Sequence, residues 1–367
     1  MGIVLDRFGT KKIAAVGIFI WSAATVFTGM ASTFGSLLVS RLAMGGAESC
    51  SNPVGAKVIR QWIPSSDRGF VTTLFNSGSY AGPAICSVVL AYLVGIFGWR
   101  ASFFIAGGFG VLWPVVWLVF FGDPENVSWL SSQERALINQ GREPAKSTQK
   151  ETEPAEPQGT FALLQSRTVW GLALTQGCSV YTQYLLLTWL PSYLQTSRHL
   201  SVMTTGMFAA IPYAVPVVLC IAARKLGDIY VKQGGGAPGK RRNAVALAMV
   251  VGSVILLLPF IEDLPLLLVV FALAFTGIAS TTSRNFALLN DLVPSASDVG
   301  KAMALVVIGG NAFGLLAPIA TGYVIERTGG YNWAFGIAGG LLLIGAAIIL
   351  TMTHRPIEPL HTGCFRT

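Results

Sequence analysis

Ten apolar stretches, each near the roughly 20 residues a helix needs to cross the hydrocarbon core of a bilayer, take up most of this 367-residue chain. They run from Ile13 to Ser32, Leu37 to Ile59, Val71 to Phe97, Phe103 to Phe121, Val169 to Leu194, Met207 to Ala223, Ala244 to Ile261, Leu264 to Leu289, Ala302 to Ile325 and Trp333 to Met352. Continuous apolar runs exclude the alternating in-out pattern of barrel strands, and in lipid every backbone polar group has to pair inside its own segment. The pattern predicts an all-α membrane protein with about ten transmembrane helices. Composition excludes an ordinary soluble enzyme, because only 11% of the residues are charged against roughly 25% in a soluble domain.

The formal charge of +8 is not a nucleic-acid signal, since the basic residues lie between the apolar runs as topology signals do. Of the 25 Lys and Arg residues, all but Arg41, Arg100, Arg198, Arg284 and Arg327 fall on one side when the connecting segments are taken alternately. The positive-inside rule makes that side cytoplasmic, with both termini there. The one long polar stretch, Gly122 to Arg167, contains the Pro-rich run ETEPAEPQGT, which cannot bury a core. A short amphipathic piece around Ser131 to Asn139 and a flexible cytoplasmic linker are expected there. The organisation is therefore an N-terminal bundle over 1–121, a linker over 122–167, a six-helix bundle over 168–353 and a cytoplasmic tail over 354–367.

No catalytic machinery is visible. Cys50, Cys86, Cys178, Cys220 and Cys364 have no metal-ligand spacing, and four of them sit in apolar runs where a thiol acts as a small hydrophobe. His199, His354 and His361 lie at span ends or in the tail. With no nucleophile and base pair, no metal cluster and no phosphate-cradling loop, the expectation is a non-enzyme with no cofactor and no metal. Nothing resembling a cleavable signal peptide opens the sequence, because Met1 to Lys12 is charged and Gly-rich.

The chemistry lies in polar residues within the spans. Arg41 and Glu48 are seven residues apart, on one helix face and about 10.5 Å apart along the axis. An ionisable residue at membrane depth costs at least about 2.5 kcal/mol on insertion scales, so its default reading is functional and cavity-facing. The alternative is that Arg41 pairs with a neighbouring helix while Glu48 sits protonated in the core. A carboxylic acid in low dielectric suits proton coupling, since its proton affinity follows the water and charge around it. Asn76, Ser79 and Tyr80 bring hydrogen-bonding groups into the next span, and Gln183, Tyr184 and Asn311 do so in the second half, a lining suited to a hydroxyl-rich anion. For Ser79 and Gln183, plain interhelical hydrogen bonding explains them equally well. Arg284 is either a bidentate anchor for a carboxylate or an arginine that snorkels to the headgroups.

The opening GIVLDRFGTKK, Gly2 to Lys12, resembles the G-x-x-x-D-R-x-G-[RK]-[RK] loop signature of the major facilitator superfamily. RLAMGGAESCSNP (Arg41 to Pro53), WIPSSDRG (Trp62 to Gly69), FNSGSY (Phe75 to Tyr80), FGWRASFF (Phe97 to Phe104), LLTWLPSYL (Leu186 to Leu194) and GGNAFGLLAPIATGYV (Gly309 to Val324) are similar to its anion:cation symporter branch, which includes permeases for glucarate, galactonate and hexuronate. The resemblance implies the major facilitator fold of two helical bundles, located in a bacterial inner membrane and monomeric at full length. It also implies a secondary transporter that moves a sugar-acid anion with protons by alternating access, with lipid as its other partner. Glu48 matches the family's proton-coupling carboxylate and Arg41 a positive residue close to it. Substrate contacts are expected from Asn76, Ser79, Tyr80, Gln183, Tyr184, Arg284 and Asn311, and a gating loop from Gly2, Asp6, Arg7 and Gly9 with Asp228 in the second half. Against a family twelve helices, ten imply that helix 1 and most of helix 2 are absent, and with them an Asp-Arg pair that grips the substrate carboxylate. Two rival readings stand beside this one. The first is a non-transporting membrane protein, and the second is a proton-coupled drug antiporter, whose G-x-x-x-G-P motif Gly78 to Pro83 resembles in part.

Overall fold

The computed structural model describes residues 8–64, 67–122, 124, 127, 130–140, 160–232, 238–293 and 296–354. Helix dominates, and no β-strand occurs among the described residues. The elements are α1 (Thr10–Met30), α2 (Phe34–Glu48), α3 (Ser51–Trp62), α4 (Arg68–Phe120), α5 (Ser132–Gln140), α6 (Thr160–Gln165), α7 (Arg167–Thr196), α8 (Val202–Lys232) and α9 (Pro238–Gly252). A 3-10 helix (Ser253–Phe260) follows, then α10 (Leu264–Leu292), α11 (Ala296–Thr328) and α12 (Asn332–Met352). Among the described residues, seven helices are long and apolar enough to cross a membrane by length and composition, and the protein is an integral membrane protein.

Seven and ten differ for local reasons. At 1.5 Å per residue a straight helix over Arg68–Phe120 would be about 80 Å long, more than twice the hydrocarbon thickness. It is divided at Gly98, whose φ of 77° and ψ of 167° lie in a region open only to glycine. Two expected spans therefore occupy this one run. The expected span from Leu37 to Ile59 is instead split between α2 and α3. Pro53 has no N–H to give the Ser49 carbonyl and its ring crowds that group, so the ladder tightens and Cys50 N donates to Ala47 O at 3.4 Å. The helix α7 has the length to span, but Thr175, Gln176, Ser179 and Thr182 keep it more polar than the seven.

The expected span Ala244 to Ile261 also changes character midway, from α-helix to the 3-10 helix that holds Pro259. A 3-10 helix rises about 2.0 Å per residue, so the change lengthens a short segment across the bilayer. Close packing accompanies it. A Cβ on Gly277 of α10 would lie 2.4 Å from Gly252 N, so only glycine permits the two backbones to approach there.

The chain divides into two compact units, Met1–Ser79 with Val88–Lys150, and Tyr80–Ser87 with Glu151–Thr367. In the first, the buried cluster is small: Ala14, Cys50 and Val54, with Ile13, Val58 and Trp117 against it. The second has two large clusters. One gathers Leu186, Leu190, Leu194, Phe271, Phe275 and Phe335, and there Tyr193 meets Phe271 and Phe335 edge-on at 5.9 and 5.2 Å. The other gathers Leu172, Met249, Leu288, Ala302 and Ile349. Outside the spans, α5 carries a capping box. Glu134 Oε2 accepts from Ser131 N and Oγ at 3.1 and 2.8 Å, and Ser131 Oγ accepts from Glu134 N at 3.2 Å.

Candidate functional site

The helix α7 is the central element of the second unit, and its polar residues divide by face. On the buried side, Thr175 Oγ1 donates to Gly345 O, Ser179 Oγ to Ile278 O and Thr182 Oγ1 to Ala338 O, each at 3.4 Å. These bonds tie α7 to α10 and α12. On its other side α7 packs along α11, where glycines bring the helices together. A Cβ on Gly310 would meet Gln176 Cγ at 3.0 Å, and one on Gly314 would meet Val180 Cγ1 at 3.0 Å and Tyr184 Cδ2 at 3.1 Å.

That seam carries three of the residues expected to contact substrate. Tyr184 rests its ring over Gly314 and is 43% exposed. Asn311 is exposed three residues before Gly314 on α11, and Gln183 is half-buried beside Tyr184. Among the described residues, none of Gln183, Tyr184, Asn311 and Arg284 makes a hydrogen bond or ion pair within the protein. Their donors and acceptors are not consumed by the fold, so interhelical bonding does not account for Gln183. Arg284 is half-buried on α10.

The residue next to it, Asn285, was not expected at the site. It is fully buried, and its Nδ2 donates to Leu172 O at 3.0 Å and to Gln176 Oε1 at 3.1 Å. Gln176 Nε2 in turn donates to Thr282 Oγ1 at 3.2 Å. The network fixes the rotation of α10 about α7. Because successive residues turn by about 100° on a helix, it also fixes the direction from which Arg284 leaves α10. The available signal was an amide within each of two apolar spans, with Thr282 one turn before Asn285.

In the first unit the expected residues stand apart. Arg41 is exposed on α2, with Nη1 3.9 Å from Met44 Sδ and its guanidinium 5.3 Å from the centre of the Phe103 ring. Glu48 is the last residue of α2 and is exposed. Among the described residues it has no hydrogen bond or ion pair, so it is neither packed in the core nor paired with Arg41. Asn76 and Ser79 are exposed on α4, also without partners among the described residues. Tyr80 is half-buried and belongs to the contact group of the second unit, against its aromatic cluster.

Of the expected gating loop, Gly2, Asp6 and Arg7 lie outside the described residues, while Gly9 precedes α1 with a φ of 80°. Asp228 falls within α8, but its side chain is outside the described residues. Cys50 and Cys178 are buried free thiols, whereas Cys86 is exposed; Cys220 and Cys364 fall outside the described side chains. Among the described residues, no three His, Cys, Asp or Glu side chains gather as a metal site.

The sequence pattern of the Major Facilitator Superfamily matches residues 1–238 and 236–363. A probable galactarate/D-glucarate transporter of Bacillus subtilis (strain 168), GudP, is 30% identical over 359 residues, 95% of this chain and 77% of that protein. A probable L-galactonate transporter of Escherichia coli (strain K12) is 29% identical over 97% of this chain and 78% of its own length. A probable sulfoacetate transporter of Cupriavidus necator, SauU, is 29% identical over 94% of this chain and 79% of its own length. In three dimensions the chain is similar to the crystal structure of a bacterial homolog to the human lysosomal transporter Spinster, in an inward-facing and occupied conformation. The TM-score is 0.69 at 16% identity, covering 95% of this chain and 84% of that one.

Proposed function

The chain belongs to the Major Facilitator Superfamily, and from that premise we propose that it is a secondary active transporter of an organic acid anion, of the sugar-acid class, coupled to protons. The observation that carries this reading is the α7–α11 seam. There a phenol and two amides make no hydrogen bond among the described residues, on a seam where α7 turns three other hydroxyls to the carbonyls of α10 and α12. Similarity to relatives named for galactarate, glucarate, galactonate and sulfoacetate supports an anionic substrate. Hydroxyl-rich carboxylates need many directional partners, and Tyr184, Gln183 and Asn311 supply both donors and acceptors.

Charge recognition falls to guanidinium groups, which bind carboxylates bidentately. Arg41 and Arg284 are the candidates, the first in one unit and the second in the other. Glu48 is the proton carrier in this proposal: it is an exposed carboxylate at the end of an apolar helix, with no cation in contact among the described residues. Asn76, Ser79 and Tyr80 on α4 are further proposed substrate contacts, each with hydrogen-bonding capacity of its own. Alternating access between two bundles is the expected cycle, with the basic side of the molecule in the cytoplasm of a bacterial inner membrane, both termini there, and a monomer as the working unit.

The test is uptake of galactonate, glucarate and hexuronate into vesicles holding the purified chain, under an inward proton gradient. Glu48→Gln keeps the shape of the side chain and loses the titration, so proton-driven accumulation should vanish while substrate exchange persists. Tyr184→Phe and Asn311→Ala should raise KM with a smaller change in kcat. Accumulation at the unmodified rate in Glu48→Gln vesicles would overturn the coupling role, and absence of saturable uptake of every acid would overturn the substrate class.

A further inference from the structure

Two neighbouring residues of α1 bring Arg41 and Phe103 together in the first unit. Gly29 faces α4: a Cβ there would lie 2.9 Å from Arg100 O and 3.2 Å from Phe103 Cβ, so glycine lets α1 approach the turn that carries Phe103. Gly107, one turn further along α4, repeats the close approach, since its Cβ would lie 2.9 Å from Ser22 O. Thr28 faces α2: its hydroxyl and that of Ser40, the residue before Arg41, are buried and 3.2 Å apart. Successive residues of a helix point about 100° apart, so α1 holds one helix on each of two faces and sets Arg41 of the one against the ring of the other.

A charged group at membrane depth needs compensation, and among the described residues Arg41 receives it from no carboxylate. Nη1 donates to Met44 Sδ at 3.9 Å, and Cζ lies 5.3 Å from the centre of the Phe103 ring. A thioether is a weak acceptor, whereas a cation within about 6 Å of an aromatic face is held electrostatically, and more strongly where water is excluded. The ring is therefore the main restraint on where the guanidinium sits. Nε and Nη2, one edge of the planar fork, have no acceptor among the described residues. That edge can receive a carboxylate through two parallel N–H···O bonds. An acidic residue in place of Phe103 would compete for the same donors; an aromatic one restrains the cation and leaves its charge unneutralised.

We propose that Phe103 is a positioning residue for substrate binding, whose ring holds Arg41 with the Nε and Nη2 edge open to the carboxylate of an organic acid. The proposal rests on the reading of the chain as an acid-anion transporter in which Arg41 takes the carboxylate, and adds a residue that acts through the arginine. Its effect is preorganisation: a long side chain already ordered by the ring loses less conformational freedom when the anion arrives. An aliphatic residue at this position fills space but holds no cation.

The full chain in vesicles serves for the test, with Phe103 replaced through stop-codon suppression by its para-fluoro, difluoro and trifluoro analogues. Fluorine draws charge from the ring face and barely changes its size, so packing is kept while the attraction for a cation weakens in steps. For galactonate uptake under an inward proton gradient, KM should rise along the series to about three- to tenfold in the trifluoro form, the size of one cation–π contact, with a smaller change in kcat. Phe103→Tyr, which keeps the aromatic face, should stay within about twofold of the original KM, and Phe103→Leu should raise it about tenfold. In detergent, the Nε–H NMR signal of Arg41, identified by its loss in Arg41→Lys, should shift in Phe103→Leu as the ring current disappears, a readout independent of transport. An unmoved signal overturns the contact. A flat KM across the fluorinated series, in a chain that takes up galactonate, overturns the positioning role and leaves the transporter reading standing. Failure of the original chain to take up galactonate, glucarate or hexuronate overturns that reading, and the role of Phe103 with it.

Discussion

The two units of this protein solve the same problem differently. In the second, α7 is locked on its buried side by hydroxyls bonded to three carbonyls of neighbouring helices, by the Asn285–Gln176–Thr282 network, and by aromatic rings meeting edge-on. In the first, α2 leaves Phe34 and Leu42 exposed at 77% and 67%, and Arg41 and Glu48 exposed beside them. In water the first arrangement would be a defect. In lipid an exposed leucine costs nothing, because the surroundings are as apolar as a protein core, and only close packing and polar bonds hold helices together. The second unit has both in quantity. The difference teaches where function can sit, since polar groups consumed by packing cannot bind a substrate and those left over can.

The largest test of this contrast is a pair of truncations. Phe271→Ala removes a fully buried ring from the aromatic cluster and should destabilise the protein by about 3–5 kcal/mol. Leu42→Ala on the exposed face of α2 should stay within about 0.5 kcal/mol. Thermal unfolding in detergent compares them, and equal losses would mean that the first unit hides packing not apparent in its contacts.

Next in size are two glycines. Gly277→Ala places a methyl against the α9 backbone, an overpacking expected to cost about 1–3 kcal/mol. Gly46→Ala on α2 meets nothing within 4 Å and should be neutral or stabilise by up to about 1 kcal/mol through helix propensity. Denaturation midpoints of the two variants check the sign as well as the size.

The amides sharpen the comparison further. Asn285→Ala breaks bonds to Leu172 O and Gln176 and should cost about 1 kcal/mol, within the range for polar contacts between membrane helices. Asn76→Ala has no bond to lose among the described residues, so its stability should hold while substrate affinity drops. A stability loss in Asn76→Ala as large as in Asn285→Ala would erase the distinction between consumed and available polar groups.

The smallest expected effect lies outside the membrane. Hydrogen bonds from the Ser131 side chain and then its backbone hold the Glu134 carboxyl below its ordinary range. A depressed carboxyl stabilises the folded form above its unfolded pKa, and the contribution is lost as pH falls through the folded value. Amide exchange along α5, corrected for intrinsic rates, should therefore speed up in acid but not between pH 6 and 8. Glu134→Gln should remove the pH dependence.

Much of the architecture was legible because lipid imposes a coarse rule. A span must be about 20 apolar residues with every backbone group paired internally, so the ten stretches and their helical state follow from counting. The turn at Gly98, the split before Pro53 and the 3-10 segment with Pro259 depend on where individual residues lose an N–H or tolerate an unusual φ. Hydropathy averages over such details. The candidate site was legible to the same depth: Tyr184, Gln183 and Asn311 stand out as polar residues in apolar runs, but so do Asn285 and Gln176, whose side chains bond to one another.

What the sequence by itself determined is the solvent, the helical state and the inventory of polar groups that have to be accounted for, since each depends on composition within a window. What only the tertiary structure decided is which of those groups find partners. A side chain's direction follows from its helix's rotation, and the rotation of α7, α10 and α11 is set by contacts between residues more than a hundred positions apart, Asn285 with Leu172 and Gly314 with Tyr184 among them. No local pattern encodes such pairs, because the physics that selects them acts only once the helices are packed.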